Sequence, residues 1–119
     1  MNKILLLEDD EMSAMLLAIM LTESGYEGKK ACTAAEARSI LALKFVPDLL
    51  ISDWQIDNDI TGAVFAHEVT DINPELSVIF ISGMEADHIQ RHASGLKVVS
   101  IFTKPVDFED VLKLVGTLF

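Results

Sequence analysis

A succession of short apolar runs, each ending in a polar or charged residue, restricts the fold of this chain more than any other feature. Lys3 to Leu7 stops at Glu8, Asp9, Asp10 and Glu11, and Leu49 to Ser52 delivers Asp53. Leu76 to Ile81 ends in Ser82 and Gly83, and Lys97 to Phe102 ends in Thr103, Lys104 and Pro105. Runs this short, bounded by turn-forming residues, read as buried strands. Tyr26 to Cys32 is a weaker strand because two lysines interrupt it.

The stretches between them read as helices. Met12 to Glu23 is rich in helix formers, with Met12, Met15, Leu16, Ile19 and Met20 at helical spacing and Gly25 as a stop. That spacing predicts core packing for the methionines. Thr33 followed by Glu36 is a capping-box pattern, and Ala37, Ile40 and Leu41 share a face before Lys44. Gly62 precedes a short helix with Phe65, Val69 and Ile72 on one side, ended by Asn73 and Pro74. Met84 to Ser94 is a more polar helix carrying His88 and His92. Asp107 can cap a last helix whose apolar face is Phe108, Val111, Leu112, Val115 and Leu118. Strands alternating with helices predict an α/β fold with a parallel sheet and helices on both faces.

With 119 residues, half of them apolar, and a net charge of −10, the chain is expected to fold as a single domain over 1–119. Its acidity weighs against direct nucleic-acid binding. Cys32 is the only cysteine, which excludes an intrachain disulfide framework. The N-terminus does not read as a signal peptide and no apolar run is long enough to span a bilayer, so a cytoplasmic protein without membrane association is expected.

If the strands are parallel, Glu8, Asp9, Asp53, Ser82 and Lys104 meet at one edge of the sheet, where ligand sites of open α/β sheets gather. Three neighbouring carboxylates repel unless a cation neutralises them, and oxygen-only ligands suit Mg²⁺, or equally Mn²⁺. A lysine and a hydroxyl opposite that ion could hold phosphoryl oxygens, with a carboxylate as nucleophile.

LLLEDDE at the start, ISD at 51–53, ISG at 81–83 and TKP at 103–105, in this spacing, resemble the receiver domain of two-component response regulators over essentially the whole chain. The resemblance implies a (βα)5 doubly wound, flavodoxin-like three-layer sandwich of five parallel strands in order 2-1-3-4-5. It implies that Asp53 is the phosphoacceptor, with phosphohistidine of a histidine kinase or phosphotransfer protein, or a small phosphodonor, as the source. Glu8, Asp9, Asp53 and the backbone carbonyl of Gln55 match the Mg²⁺ site; Ser82 matches the switch hydroxyl, followed by Gly83, and Lys104 the site lysine. Pro105 matches the proline often preceded by a cis bond. Slow self-dephosphorylation, a downstream protein or fused output domain as partner, and homodimerisation are family expectations; no further cofactor is implied. Such domains shift an existing equilibrium that reshapes their interaction face.

The chain departs from that pattern in two places. WQIDNDITG after Asp53 has no proline and one extra residue, and the usual switch aromatic falls on Ile101, with Phe102 beside it. These departures support the alternative of an interaction module that works without phosphorylation.

Three other signals are weaker. Asp57, Asp59, Thr61, Gly62 and Glu68 fall in the register of a calcium loop, but a strand rather than a helix precedes them. His88 and His92 supply at most two zinc ligands. Trp54 is expected to lie half exposed over the site.

Overall fold

A computed structural model describes residues 2–57, 60–83, 89 and 93–119. The strands of the main sheet are β1 (Lys3–Leu7), β2 (Glu27–Ala31), β3 (Leu49–Asp53), β6 (Ser77–Ser82) and β7 (Lys97–Thr103), all parallel, in the order β2-β1-β3-β6-β7. Counted along the chain this is 2-1-3-4-5, the expected flavodoxin-like topology. Between β3 and the next helix lies an element absent from the sequence reading, a small antiparallel ladder of β4 (Gln55–Asp57) and β5 (Ile60–Thr61).

Four described helices cover the sheet: α1 (Glu11–Glu23), α2 (Ala34–Ala42), α3 (Gly62–Thr70) and α4 (Phe108–Leu118). Each begins at a polar cap. Asp10, Thr33, Thr61 and Asp107 accept from the backbone N–H of Ser13, Glu36, Val64 and Glu109 respectively, satisfying donors the helix leaves unpaired. Beyond α1 the backbone turns at Gly25, whose φ of +95° suits a residue without Cβ. Of the expected helix over 84–94, Ile89 is helical and fully buried; His88 and His92 lie outside the described residues.

β3 is buried along its whole length because both of its faces are covered, and this explains its unbroken apolar run. On one face Leu5, Leu7, Leu50, Val78 and Phe80 pack with Ala37, Phe65, Val69 and Ile89. On the other, Ile4, Leu6, Ile51, Ile79 and Ile81 pack with Leu17, Leu21, Val111 and Val115. The result is three layers.

The methionine expectation for α1 is overturned. Ala14, Leu17 and Leu21 form its buried stripe, whereas Met12, Met15, Leu16 and Ile19 are exposed, Met12 to 73%. The helix is apolar all round, so helical spacing alone could not say which stripe meets the sheet. Ile72, expected on the apolar side of α3, also lies beyond the helix end and is exposed.

A register shift between β6 and β7 pairs Val78 with Val98 but Ile79 with Ser100. The extra residue flips the alternation that follows. Ile101 consequently packs on the Phe80 side and Phe102 on the side of α1 and α4.

Candidate functional site

The site grows from the C-terminal ends of β1, β3, β6 and β7. Glu8 follows β1, and its N–H donates to the carbonyl of Ala31 at 3.1 Å, which ties the loop after β1 to β2. Asp53 closes β3. Trp54 then continues the ladder by donating to Ile81 O at 2.9 Å, and Lys104 donates its N–H to Ser82 O at 2.8 Å. Backbone bonds therefore fix the roots of Glu8, Asp53, Ser82 and Lys104 before their side chains interact.

Glu8, Asp9 and Asp53 each bring a carboxylate oxygen to within 4.8 Å of the others. Asp53 and Glu8 are 3% and 5% exposed, whereas Asp9 reaches solvent. Asp53 Oδ2 accepts from the Asp9 N–H at 3.0 Å, and Glu8 Oε1 accepts from the Asp10 N–H at 3.1 Å. Asp53 Oδ1 is buried and, among the described residues, accepts no well-aligned hydrogen bond. It is faced instead by the Lys104 ammonium at 3.2 Å, which also lies 3.7 Å from Glu8 Oε1 and 3.9 Å from Asp9 Oδ1. Asp10, though in the same acidic run, is occupied as the cap of α1 by Ser13.

The charges strain against one another. Burial, reinforced by the side-chain hydrogen bond with Asp53, pushes the Glu8 carboxyl up to about 8. Burial also raises Asp53, against the stabilising effect of the Asp9 N–H. Asp9, the most solvated of the three, is lowered by hydrogen bonding with Asp53 and Glu8. Burial lowers Lys104, but the carboxylates of Asp53, Glu8 and Asp9 outweigh it and its pKa rises. One ammonium thus serves three acids, and a proton stays on the buried pair to near neutral pH. An oxygen-only donor set with an unsatisfied buried carboxylate oxygen fits a hard divalent cation.

Ser82, at the end of β6, is 4% exposed; Gly83 beside it is exposed. Gln55 is the first residue of β4, two places beyond Asp53, with its side chain exposed. The Lys104–Pro105 peptide is cis, as the family resemblance implied. Trp54 corrects an expectation, being 3% exposed rather than half exposed. Its ring packs edge-to-face on Phe80, centroids 5.3 Å apart, because the β4–β5 ladder turns the loop inward. Gly62 makes that turn feasible, since a Cβ there would sit 2.5 Å from Asp53 O and 2.9 Å from the Phe80 ring. A strand precedes Asp57, so the calcium register lacks its helix-loop-helix setting.

With this geometry in place, comparison with known proteins is direct. The sequence matches the response regulator receiver domain family over residues 4–116. The chain belongs to that family. The response regulator receiver protein CpdR of Brucella abortus (strain 2308) is 26% identical over 112 residues, 94% of this chain and 92% of that protein. Among solved structures, a CheY-like receiver domain protein from Methanospirillum hungatei JF-1 superimposes with a TM-score of 0.85 at 20% identity, covering 99% of this receiver and 93% of that chain. The response regulator TrrA of Thermotoga maritima, solved in complex with Mg²⁺-BeF, gives a TM-score of 0.79 at 23% identity over the whole of both chains. Among the described residues no helix of this receiver is long and apolar enough to cross a membrane.

Beside the carboxylates opens a pocket of about 590 Å³ lined by Glu8, Asp10, Ser13, Lys104, Pro105 and Phe108, among others. Sequence reasoning collected Glu8, Asp9, Asp53, Ser82 and Lys104 at this edge but missed the backbone N–H of Asp9 as a donor to Asp53. No side-chain signal announces a main-chain donor.

Proposed function

We propose that this receiver, as a single domain over 1–119, is a phosphorylatable switch that takes a phosphoryl group onto Asp53 and thereby changes its protein partners. The observation that carries the reading is the buried Asp53 carboxylate, whose Oδ1 faces the Lys104 ammonium at 3.2 Å inside a trio of acids. Its donor is a phosphohistidine of a kinase or phosphotransfer protein, or a small phosphodonor. A carboxylate oxygen of Asp53 attacks phosphorus, the P–N bond breaks, and the imidazole leaves with the bonding pair and takes up a proton.

Glu8, Asp9, Asp53 and the Gln55 carbonyl would hold Mg²⁺ or Mn²⁺. The ion supplies charge neutralisation for a phosphoryl group that gathers negative charge as it transfers. Lys104 does the same from the protein side, holding Asp53 anionic and balancing the added phosphoryl oxygens. Ser82 supplies a hydroxyl at the neighbouring strand end, and Gly83 beside it leaves room for the group. Ile101 and Phe102 connect that edge to the two cores and Pro105 stands exposed just beyond it, so a shift at Ser82 and Lys104 is read out along β7.

Docking of the donor is assigned to α1. Met12, Met15, Leu16 and Ile19 make an exposed apolar stripe that begins at the acidic loop holding Glu8 and Asp9. It suits the apolar flank of a partner helix carrying the histidine.

The ladder after Asp53 and the aliphatic Ile101 favour one competing reading, a receiver-like interaction module that works without phosphorylation. Intact mass after incubation with acetyl phosphate or phosphoramidate, with and without Mg²⁺, separates the two. The switch predicts an Mg²⁺-dependent gain of one phosphoryl group that Asp53→Ala abolishes. Folded, metal-bound protein that gains nothing from either donor belongs to the module.

A further inference from the structure

At the opposite end of the sheet, β1, β2 and the turn after α2 enclose a pocket of about 370 Å³. Its lining combines Lys3, Lys29 and Lys44 with Ile40, Leu43 and Phe45; Glu27 is its one acid. In a chain of nineteen carboxylates and nine Lys and Arg residues, three of those cations around one pocket form a local reversal of sign. Among the described residues no carboxylate lies within 4.0 Å of these three ammonium groups, and the nearby Asp48 carboxylate accepts from the Lys3 backbone N–H at 2.9 Å.

The apolar part of the pocket is equally unusual. Leu43 is 83% exposed at the end of α2, the highest exposure of any large apolar residue described. Lys44 follows it with a φ of +65°, a left-handed position that glycine ordinarily fills at a helix end. That turn holds Leu43 and Lys44 out at the rim. Phe45 forms the floor, with the Lys3 ammonium 5.8 Å from its ring centroid. Exposed leucine beside unpaired lysines over a concave aromatic floor is the arrangement of a binding site with an apolar anchor and an anionic rim contact.

We infer that the pocket formed by Lys3, Lys29, Lys44, Leu43 and Phe45 docks an acidic peptide segment of a partner protein through one large apolar side chain flanked by carboxylates. Charge complementarity selects that occupant, since the lining is cationic where the surrounding protein is anionic. β1 is five residues long, so about 17 Å of strand separates this site from the carboxylates at its far end. The site works independently of Asp53, and one receiver can hold this partner while its other end exchanges a phosphoryl group.

The test is amide chemical-shift mapping on the full chain. The probes are a synthetic hexapeptide alternating glutamate with leucine and phenylalanine, and a counterpart with lysine in place of glutamate. The acidic peptide should shift amides near residues 3, 27–29 and 40–45, with binding that weakens as salt is added. Lys29→Glu combined with Lys44→Glu should weaken it at least tenfold, and Leu43→Ser should weaken it while leaving the salt dependence intact. These surface variants should keep the parent's circular dichroism and acetyl phosphate labelling, which separates this site from the reading of Asp53. Equal binding of the basic peptide, shifts centred on α1 instead, undiminished binding by the charge-reversed variant, or no shifts up to about 2 mM peptide would each overturn the inference.

Discussion

At one end of this receiver's sheet Glu8 and Asp53 are buried with a single ammonium between them; at the other, Lys3, Lys29 and Lys44 stand in or near water around an apolar floor. The first end keeps like charges together inside protein, where each raises the cost of ionising its neighbour. The second spreads its charges where solvent screens them. Strain of the first kind favours a ligand of positive charge, because a cation among the carboxylates would relieve it. Chain packing repeats the contrast: Gly62 at the carboxylate end has no room for a Cβ, whereas Gly116, in the last turn of α4 at the far end, has open space.

The largest effect should come from removing the cation that, among the described residues, faces the acids alone. Lys104→Ala should slow acetyl phosphate labelling of Asp53 by about 10²-fold, the usual loss when one charge-stabilising group leaves a site. Lys44→Ala at the far end should leave the rate unchanged. Labelling kinetics followed by intact mass measure both, and equal effects from the two lysines would dissolve the contrast.

The glycines test packing rather than charge. Gly62→Ala forces a Cβ against Asp53 O and Phe80 and should destabilise by about 1–3 kcal/mol, as overpacking does. Gly116→Ala meets nothing within 4 Å and removes helix-interior glycine, so it should stabilise by roughly 0.5 kcal/mol. Urea denaturation gives both values. Effects of the same sign would mean that the tightness at Gly62 relaxes at little cost.

How much of this was legible follows from what each signal encodes. β1, β3 and β6 were readable because a strand buried on both faces must be apolar throughout, and the polar residue ending each run marks the edge where Asp53 and its partners meet. α1 was readable as a helix but not in its orientation, since Met12, Met15, Leu16 and Ile19 compete with Ala14, Leu17 and Leu21 for the sheet. The β4–β5 ladder was hidden because three-residue and two-residue strands leave no usable periodicity. Trp54 sits inside only because that ladder folds back, and which core Ile101 and Phe102 each meet depends on an unpaired residue in β7. These are tertiary facts with no local signature.

The outward stripe of α1 gives the next prediction. Leu16 is 50% exposed, so Leu16→Lys should change stability by less than about 0.5 kcal/mol. It should slow transfer from a phosphohistidine protein about tenfold while leaving acetyl phosphate labelling at the parent rate. On the proposed reading, a small donor would need Asp53 and Lys104 but no docking helix. Equal slowing with both donors would place the lesion in the site and remove α1 from recognition.

The smallest effect compares two glutamates with opposite shifts. Glu8 is raised to about 8 by burial and by its hydrogen bond with Asp53, whereas Glu68, exposed on α3, is lowered by the Arg38 guanidinium at 2.7 and 2.9 Å. With its pKa raised, folded Glu8 keeps a proton that the unfolded chain releases, so its contribution is complete below about pH 4.5 and is lost as pH rises toward 8. Glu68 contributes with the opposite sign: its share is present above the ordinary glutamate range and disappears as pH falls through its lowered value. In metal-free protein Tm should therefore decline between about pH 5 and pH 8, and Glu8→Gln should flatten that decline. Arg38→Ala should cost less than about 1 kcal/mol, fade with added salt and leave the slope in that window untouched, because both partners of its ion pair are well over a third exposed. A slope that followed Arg38 instead of Glu8 would move the strained charge from the end of β1 to the surface of α3.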